Sequence, residues 1–360
     1  MIWTYVAIVI GFFFAMNIGA SGTAASMGAA YGSGAIQNKR IAMAVVAVGA
    51  FLGAVLGGGE VVKTISQGLL PKDVLTVQAV IIILASSTFT LFFANLIGIP
   101  LSTSEVTVGA VVGVGIAFHA FYVEKILVIL LFWVLIPLIA FIIAWLIGKG
   151  ILRMEQRWST LKGQGKWRRW LGYLLIACGF LEAFSAGMNN VANAVGPLVG
   201  AGIMEASTGI WAGGLFVALG AFLLGGKVLE TNGKRITNLS LLQGSTVSFT
   251  GGTLVIAASV FGVPVPLTQA TTCAILGIGT AKNGFRLWQK SVIKQIIQVW
   301  IVSPFSALVV SYALVYVVLI RDFYTVAVII SAFITTVGLI SLYRAVRREK
   351  SSFQDQGGGI

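Results

Sequence analysis

Hydroxyl-bearing residues follow a proline at two places in this sequence, in Pro100-Leu-Ser-Thr-Ser104 and again in Pro264-Val-Pro-Leu-Thr268. A proline interrupts a helix, and the helix that restarts after it points unpaired N–H groups and a partial positive charge at the interruption. Such a helix start holds an oxyanion with few or no cationic side chains. The alternative is that the hydroxyls only cap a kinked helix. The candidate oxyanion ligands in these motifs are Ser102, Thr103, Ser104, Thr268 and Gln269.

Two glycine-rich blocks, Gly19–Gly28 and Gly187–Gly196, carry further polar side chains. Adjacent amides in an apolar segment need partners, because an unpaired polar group in hydrocarbon is costly. These residues either line the path of a solute or ion, or hold helices together. The substrate-binding candidates in these blocks are Ser21, Gly22, Thr23, Asn190 and Asn193, and the alternative ligands of a sodium ion are Asn189, Asn190 and Asn193.

Four glutamates are candidates for binding a coupling ion, because acidic residues inside membrane segments are functional candidates by default. Glu105 directly follows the Ser-Thr-Ser run, and Glu182 lies five residues before Gly187. Glu60 and Glu230 each have a basic residue three positions away, so a local helical ion pair is the alternative for both. Glu105 has no such neighbour and is the first candidate.

Composition places these motifs in a lipid bilayer. Of the 360 residues, 58% are hydrophobic and 10% are charged, and the mean hydropathy is +0.97, which is too apolar for a soluble domain of this size. The expected fold class is an all-α polytopic membrane protein with roughly 10–12 membrane segments. The predicted segments are 3–36 (too long for one straight crossing and expected to be broken), 41–57, 74–97, 98–118, 126–147, 170–204, 209–226, 239–261, 262–281, 291–318 and 323–343.

The positions of the basic residues account for the net charge of +13 without nucleic acid as a partner. Twenty of the 24 Lys and Arg residues lie in alternate loops, seven of them between 149 and 169. The positive-inside rule places the 148–169 loop and the C-terminus in the cytoplasm. This topology requires 98–118 to add a net crossing. If that segment re-enters instead, another predicted span is wrong.

The sequence also repeats itself in four blocks, in the same order, at offsets of 164 to 171 residues. The first half makes an odd number of predicted crossings, so the second half enters the membrane with the opposite orientation. Inverted repeats with broken or re-entrant helices are the plan of secondary transporters, which bind substrate near the midplane. The matching blocks are Gly19–Gly28 with Gly187–Gly196, Gly49–Leu52 with Gly220–Leu223, Glu60–Thr64 with Lys227–Thr231, and Gly98–Thr107 with Gly262–Thr271.

Four regions are predicted from these observations. They are a first transmembrane repeat at 1–147, a basic cytoplasmic loop at 148–169, a second transmembrane repeat at 170–343 and a cytoplasmic tail at 344–360.

The blocks resemble the inorganic phosphate transporter (PiT) family, whose repeats each carry a Gly-Ala-Asn-Asp-Val-Ala-Asn-Ala signature and a Pro-Val-Ser-Thr-Thr-His hairpin. The resemblance covers nearly the whole chain apart from 148–169 and the tail. The signature aspartate is Asn190 in one repeat and Gly22 in the other, and the hairpin histidine is Glu105 or Gln269. The first signature block and the Ser-Thr-Ser-Glu hairpin are most similar to the bacterial sulfate permease (CysP-type) branch of the family.

The resemblance implies an oxyanion transporter in a bacterial plasma membrane, with a homodimer as its assembly. Phosphate near neutral pH carries a proton, so its site profits from a carboxylate acceptor, whereas sulfate is a bare dianion that needs donors only. Asparagine and glycine in place of aspartate therefore favour sulfate. In phosphate members the signature acids are implicated in sodium binding, so their absence puts sodium coupling in doubt. Selectivity over thiosulfate, selenate or molybdate stays open.

Import of a dianion against an inside-negative potential costs about 4.6 kcal/mol per 100 mV, so uptake needs an energy source. The sequence has no Walker-type loop, which favours symport, and we expect the proton as coupling ion with sodium as the alternative. An enzyme is not expected, since the single histidine, His119, is poorly placed and the sequence has no metal-ligand cluster, and no cofactor is expected either. The alternatives are a phosphate symporter coupled to protons or sodium and, less favoured, an anion channel.

Overall fold

The computed structural model describes residues 1–97, 101–163, 165–236, 239–284, 291–328 and 331. Within these ranges the chain is largely helical, and none of the described residues forms a β-strand. In chain order the helices are α1 (Ile2–Ile18), α2 (Gly28–Gly32), α3 (Lys39–Gly57), α4 (Gly59–Gln67), α5 (Val77–Ile97), α6 (Thr103–Ala117), α7 (Val123–Arg157), α8 (Trp167–Gly200), α9 (Ala206–Leu224), α10 (Gly226–Ile236), α11 (Leu241–Val260), α12 (Leu267–Asn283) and α13 (Ser291–Val315).

Eight helices of the described residues are long and apolar enough to cross a membrane, which confirms the predicted all-α polytopic class. Helices α6 and α12 have 15 and 17 residues and reach only about 22 and 25 Å, against a hydrocarbon thickness of about 30 Å. By length, both segments that follow the proline motifs fall short of a full crossing. Most of the predicted segment 323–343 lies outside the described residues.

Large apolar side chains cover the outside of the protein as well as its interior. Along α7, for example, Leu127, Leu131, Val134 and Leu138 are each at least half exposed. A soluble helix would place polar residues on such a face, whereas lipid solvates an apolar one. This pattern is what a chain surrounded by hydrocarbon requires.

The predicted break in segment 3–36 is confirmed and lies at Ser21. Helix α1 ends at Ile18, Gly19–Thr23 forms a wide turn, and Ser21 has the non-helical angles φ −97° and ψ −112°. Gly19 permits close packing here, because a Cβ atom on it would strike the backbone of α9. The matching block Gly187–Gly196 behaves differently, since it lies within the continuous helix α8.

The predicted basic loop 148–169 is shorter in the structure. Helix α7 continues to Arg157 and α8 begins at Trp167, so the connection comprises only 158–166. Near the end of α7, the buried carboxylate of Glu155 accepts hydrogen bonds from the Ser240 hydroxyl and from Gln243 Nε2 (2.8 Å) at the start of α11. These hydrogen bonds to the start of α11 stabilise the part of α7 that extends beyond its apolar stretch.

Corresponding helices follow one another in the same order in the two halves. Helices α3 and α9 both have 19 residues, α4 and α10 have 9 and 11, and α5 and α11 have 21 and 20. In each half, a roughly 20-residue helix is then followed by the short helix α6 or α12. The order agrees with the sequence repeat, and the inverted orientation of the second half stays a prediction.

Residues Met1–Ser311 belong to one compact unit, and the described residues from Tyr312 onward belong to a second. In the second unit, Tyr316–Ile320 form a wide helical turn that ends at Arg321, which has a left-handed φ of 61°. The Asp322 carboxylate then accepts hydrogen bonds from the Thr325 hydroxyl (2.5 Å) and the Tyr324 N–H (3.0 Å). The hydrogen bond from the Thr325 side chain is the main reason that the pKa of Asp322 is lowered.

Candidate functional site

The starts of α6 and α12 lie next to each other in the protein interior. Ser104, in the first turn of α6, donates its hydroxyl to the carbonyl of Val265, one residue before Pro266, which caps α12 (3.3 Å). The Ser102 hydroxyl caps α6 by accepting the Glu105 N–H, and both capping residues have extended backbones. The first-turn N–H groups of the two helices, which lack intrahelical acceptors, are therefore close together.

Hydroxyls of α6 and amides of α8 form one buried hydroxyl–amide cluster, which comprises Thr103, Ser104, Asn189, Asn190 and Asn193. Thr103 Oγ1 donates to Asn190 Oδ1 at 2.9 Å, and Ser104 Oγ lies 3.2 Å from Asn189 Oδ1 and 3.4 Å from Asn190 Oδ1. Asn193 Nδ2 donates to Thr103 Oγ1 at 3.4 Å and to Ser104 Oγ at 3.3 Å. All five side chains are buried. The first half's hairpin thus binds the second half's signature block.

Asn189 connects this cluster to the start of α12. Its Nδ2 donates to Ser259 Oγ at 2.8 Å and to the Val263 carbonyl at 3.2 Å, and its Oδ1 accepts the Val265 N–H at 3.2 Å. The amide therefore fixes the irregular backbone between α11 and α12, which explains why it occurs in a membrane segment.

The other signature block lies beside the other hairpin. A Cβ atom on Gly22, in the break after α1, would lie 3.1 Å from Thr268 Cγ2 at the start of α12. The Ser21 hydroxyl donates to its own helix, to the Ile18 carbonyl at 3.0 Å. Each signature block therefore lies against the hairpin of the opposite half, although Ser21, Gly22 and Thr23 make no side-chain hydrogen bond to the hydroxyl–amide cluster among the described residues.

Three buried polar atoms at this junction have no hydrogen-bond partner among the described residues. They are Thr23 Oγ1, Thr268 Oγ1 and Asn193 Oδ1. An unpaired buried polar group costs about 1–3 kcal/mol, so each needs an explanation. Thr23 Oγ1 and Thr268 Oγ1 lie where the break after α1 meets the start of α12. A polar solute bound there would form hydrogen bonds with both atoms.

Glu105 joins both hairpins to α13. It is buried (1% exposed), and its carboxylate accepts hydrogen bonds from Gln269 Nε2 on α12 and from Ser303 Oγ on α13. Glu105 and Gln269 occupy matching positions, the third residue of each short helix. Both residues are site candidates by sequence, but no sequence pattern predicts that they contact each other.

Ser303 is a site residue that sequence analysis missed. A single serine beside Pro304 in an apolar helix gives no distinctive signal. Gly109 and Gly113 are a weak signal of a close contact between α6 and α13. A Cβ atom on Gly109 would strike the Pro304 backbone, and one on Gly113 would strike the Leu308 backbone.

A second buried acid, Glu182 on α8, lies two turns before Asn189. Its Oε1 accepts the Thr271 hydroxyl of α12 at 2.7 Å, and the hydroxyl of Ser248 on α11 also hydrogen-bonds its carboxylate. Thr271 is part of the sequence repeat, where it matches Thr107, but no sequence pattern marks Thr271 or Ser248 as a partner of the acid.

The structure does not bring Glu60 and Glu230 to either cluster. Glu60 is exposed on α4 and forms no salt bridge with Lys63. Glu230 forms a salt bridge with Lys39 of α3 at 2.7 Å, and both side chains are partly exposed. The local ion pair considered for each glutamate is therefore wrong for Glu60, and for Glu230 the partner seen lies on another helix.

The arrangement is suited to holding an anion by donors. Hydroxyls, amide N–H groups and two helix starts converge, and the carboxylate among them, Glu105, is hydrogen-bonded. Among the described residues no group of three or more His, Cys, Asp or Glu side chains could hold a metal ion. A sodium ion would have to use asparagine and backbone oxygens, such as the unpaired Asn193 Oδ1.

Comparison with known proteins confirms the resemblance seen in the motifs. The phosphate transporter family matches residues 18–163 and 151–311. The chain is 53% identical to the sulfate permease CysP of Bacillus subtilis over 354 residues, which cover 98% of this chain and 99% of that protein. It is 28% identical over 393 residues to a protein of Thermococcus kodakarensis provisionally described as a phosphate permease, with 86% and 96% of the two chains covered.

A solved structure titled "The sodium-dependent phosphate transporter" has the same fold, with a TM-score of 0.77 and 25% sequence identity. The match covers 88% of this chain and 99% of the other. Relatives with transport functions thus match nearly the full length of the chain in sequence and in structure. This multi-pass membrane protein belongs to the phosphate transporter family.

Proposed function

We propose that this protein imports sulfate, or a closely related oxyanion, by proton-coupled symport and alternating access. The observation that carries the proposal is the convergence of the starts of α6 and α12 on buried hydroxyl and amide groups, with Glu105 hydrogen-bonded between them. Helix starts and neutral donors hold a doubly charged oxyanion without cationic side chains. Thr103, Ser104, Thr268 and the asparagines of α8 are its proposed ligands.

Sulfate is preferred over phosphate because the described side chains proposed to bind the anion are neutral, apart from the neighbouring Glu105. Asn190 and Gly22 stand where family members with the aspartate signature carry an acid, so two negative charges are absent. The relative that is 53% identical is named a sulfate permease, which supports the same preference.

The position of Glu105, directly after the proposed oxyanion ligands, supports proton coupling. An ionised carboxylate repels a neighbouring dianion by several kcal/mol at an effective dielectric constant of about 20. Protonation of Glu105 removes this repulsion, so proton binding and oxyanion binding favour each other by the same amount. This reciprocal coupling favours cotransport of the proton and the oxyanion.

Ser303 allows the Glu105 carboxyl group to exist in both protonation states. When Glu105 is ionised, the Ser303 hydroxyl donates to it. When Glu105 is protonated, it donates to Ser303, whose own hydrogen turns to the Trp300 carbonyl at 3.5 Å. A hydroxyl that both donates and accepts keeps a buried acid satisfied in either state.

A phosphate symporter coupled to protons or sodium is the second candidate, because the solved structure of the same fold is titled as a sodium-dependent phosphate transporter. An anion channel is the third. A channel would pass anions in response to potential alone and would not need the buried carboxylate.

The proposed setting is a bacterial plasma membrane, with 148–169 and the C-terminus in the cytoplasm, where positive charge is enriched. The protein acts as a transporter without catalytic chemistry or a cofactor, and a homodimer is its proposed assembly. Charge placement supports the proposed orientation, and the family resemblance supports the proposed homodimer.

The coupling role is tested with Glu105→Gln in proteoliposomes. Glutamine mimics the protonated acid, so sulfate counterflow, an exchange of labelled for unlabelled substrate, should persist. Uphill uptake driven by an acidic outside pH should fall at least about tenfold, since one carboxylate no longer carries a proton. Glu60→Gln is the matched control, because the Glu60 side chain is exposed.

If Glu105→Gln accumulates sulfate down a pH gradient as well as the unchanged protein does, Glu105 is not the proton carrier. If it loses counterflow and uphill uptake together while Glu60→Gln retains both, the residue is needed for binding or folding and not for coupling.

A further inference from the structure

The Glu182 carboxyl group occupies a second polar site that is separate from the hydroxyl–amide cluster. It is 4% exposed, and it is held by Thr271 of α12 at 2.7 Å and by Ser248 of α11. A Cβ atom on Gly252 of α11 would contact the Glu182 backbone at 3.1 Å, so three helices meet around this acid. Residues of α8, α11 and α12 therefore surround the Glu182 side chain.

The corresponding positions in the first half of the chain show which side chains are sufficient for packing alone. By the repeat offsets, Glu182 corresponds to Phe14, Ser248 to Leu84 and Thr271 to Thr107. Phe14 and Leu84 are fully buried, and the Thr107 hydroxyl has no hydrogen-bond partner among the described residues. The corresponding helices of the first half therefore pack through apolar side chains, whereas those of the second half surround an acid that is hydrogen-bonded by hydroxyls.

A buried carboxylate without a cation is unfavourable in its ionised form. Among the described residues, no Lys, Arg or His side chain forms a salt bridge with Glu182 or Glu105. The titratable group that interacts with Glu182 is the Cys178 thiol on the same helix, and α11 and α12 contribute the hydroxyls of Ser248 and Thr271. Both buried acids thus have neutral partners that suit proton exchange.

Glu182 is also placed to sense an oxyanion at the proposed site. Seven residues of α8 separate it from Asn189, which corresponds to a rise of about 10 Å. Its partner Thr271 lies one turn along α12 from Thr268, at the helix start that borders the proposed oxyanion site. A bound dianion therefore favours the protonated form of Glu182 as well as that of Glu105.

We propose that Glu182 is a second proton site, so that two protons accompany each sulfate and the transport cycle is electroneutral. Each of the two carboxylates takes up one proton on the outside and releases it inside. Two positive charges then cancel the two negative charges of the dianion. This inference rests on the proposed function, since it assumes proton-driven oxyanion uptake, and it adds the stoichiometry and the second carrier.

The remaining buried acid of the described residues, Glu155, serves as a comparison. It lies near the end of α7 and binds the capping residues of α11, away from both clusters. Its neutral replacement removes a buried carboxylate without removing a proposed proton site.

The first test measures the unchanged protein in proteoliposomes whose potential is clamped with potassium and valinomycin. Two protons per dianion predict about 100-fold accumulation of labelled sulfate per unit of pH gradient. They also predict accumulation that does not change with potential. One proton per dianion predicts about tenfold per pH unit, and a change of about 50-fold per 100 mV because one net negative charge moves.

The second test applies the same assay to Glu182→Gln. We expect the variant to retain sulfate counterflow, to accumulate about tenfold per pH unit, and to become sensitive to potential. Glu155→Gln should keep the ratio of the unchanged protein. Thr271→Val provides a second variant, which keeps the acid but removes its hydroxyl donor. It should shift the pH dependence of uptake without changing the stoichiometry.

The possible outcomes distinguish failure of the second proton site from failure of proton symport. Uptake that ignores the pH gradient would contradict proton symport itself. Uptake that follows the pH gradient with one net charge per sulfate in the unchanged protein would overturn only the second proton site. Loss of counterflow as well as accumulation in Glu182→Gln would also overturn it and leave Glu182 with a structural role.

Discussion

At the scale of single residues, the hydroxyl–amide cluster is built from neutral side chains that pair with one another. Asn190 Oδ1 accepts from Thr103, and Asn193 Nδ2 donates to Thr103 and Ser104. The residue types and their oxyanion chemistry could be predicted from the sequence. Their pairing could not, because self-comparison aligns each block with its own copy, whereas the structure puts each signature block against the opposite hairpin.

Asn190→Asp should weaken sulfate binding. The aspartate can still accept from Thr103 and Ser104, but it adds a negative charge beside the dianion in a buried site. We expect the KM for sulfate to rise at least about tenfold, measured by uptake of labelled sulfate at fixed pH gradient.

Asn38→Asp is the control for this substitution, because it adds the same charge at an exposed helix cap that either residue fills well. An unchanged KM for Asn190→Asp would show that the hydroxyl–amide cluster does not bind the anion.

At the scale of helices, length and composition predicted most of the boundaries, and polar contacts explain the exceptions. The break after α1 follows from a glycine-rich block with a non-helical Ser21. The block with the asparagines stays helical, since α6 and the α11–α12 connection pair its amides. The extension of α7 beyond its apolar stretch depends on Glu155 bonding a distant helix, which no local pattern reveals.

The contact between α6 and α13 predicts a marked effect of a single methyl group. Gly109→Ala places a Cβ atom against the Pro304 backbone, so α13 must move and Ser303 loses its position at Glu105. We expect a loss of about 1–3 kcal/mol in stability, seen as a lower melting temperature of the detergent-solubilised protein.

Gly150→Ala is the matched control, since a Cβ atom there has open space and alanine is the better helix former. It should leave the melting temperature unchanged or slightly raised. Equal melting temperatures for both variants would mean that α6 and α13 do not pack as tightly as described.

At the scale of the whole molecule, the two halves interact through polar contacts that cross between them. The hydroxyl–amide cluster and the Glu105–Gln269 bond lie in the interior, and the Lys39–Glu230 salt bridge is partly exposed. The sequence repeat could suggest that both halves contribute to one site, but which side chains meet across the boundary depends on packing.

The salt bridge should matter less than the interior contacts. With side chains 38% and 43% exposed, solvent screens the pair, which limits its contribution to about 0–1 kcal/mol. Lys39→Gln combined with Glu230→Gln is therefore expected to keep uphill sulfate uptake within about twofold. A loss comparable to that of Glu105→Gln would instead assign the pair, and Glu230 in particular, a part in coupling.

We propose that a proton gradient drives sulfate through this protein. It is tested most directly by uptake of labelled sulfate into proteoliposomes under an imposed pH gradient, with unlabelled phosphate as competitor and a sodium gradient in parallel. Proton-coupled sulfate symport predicts uptake that follows an acidic outside pH, persists without sodium and is not displaced by phosphate. Uptake that requires sodium, or that phosphate abolishes, would contradict it.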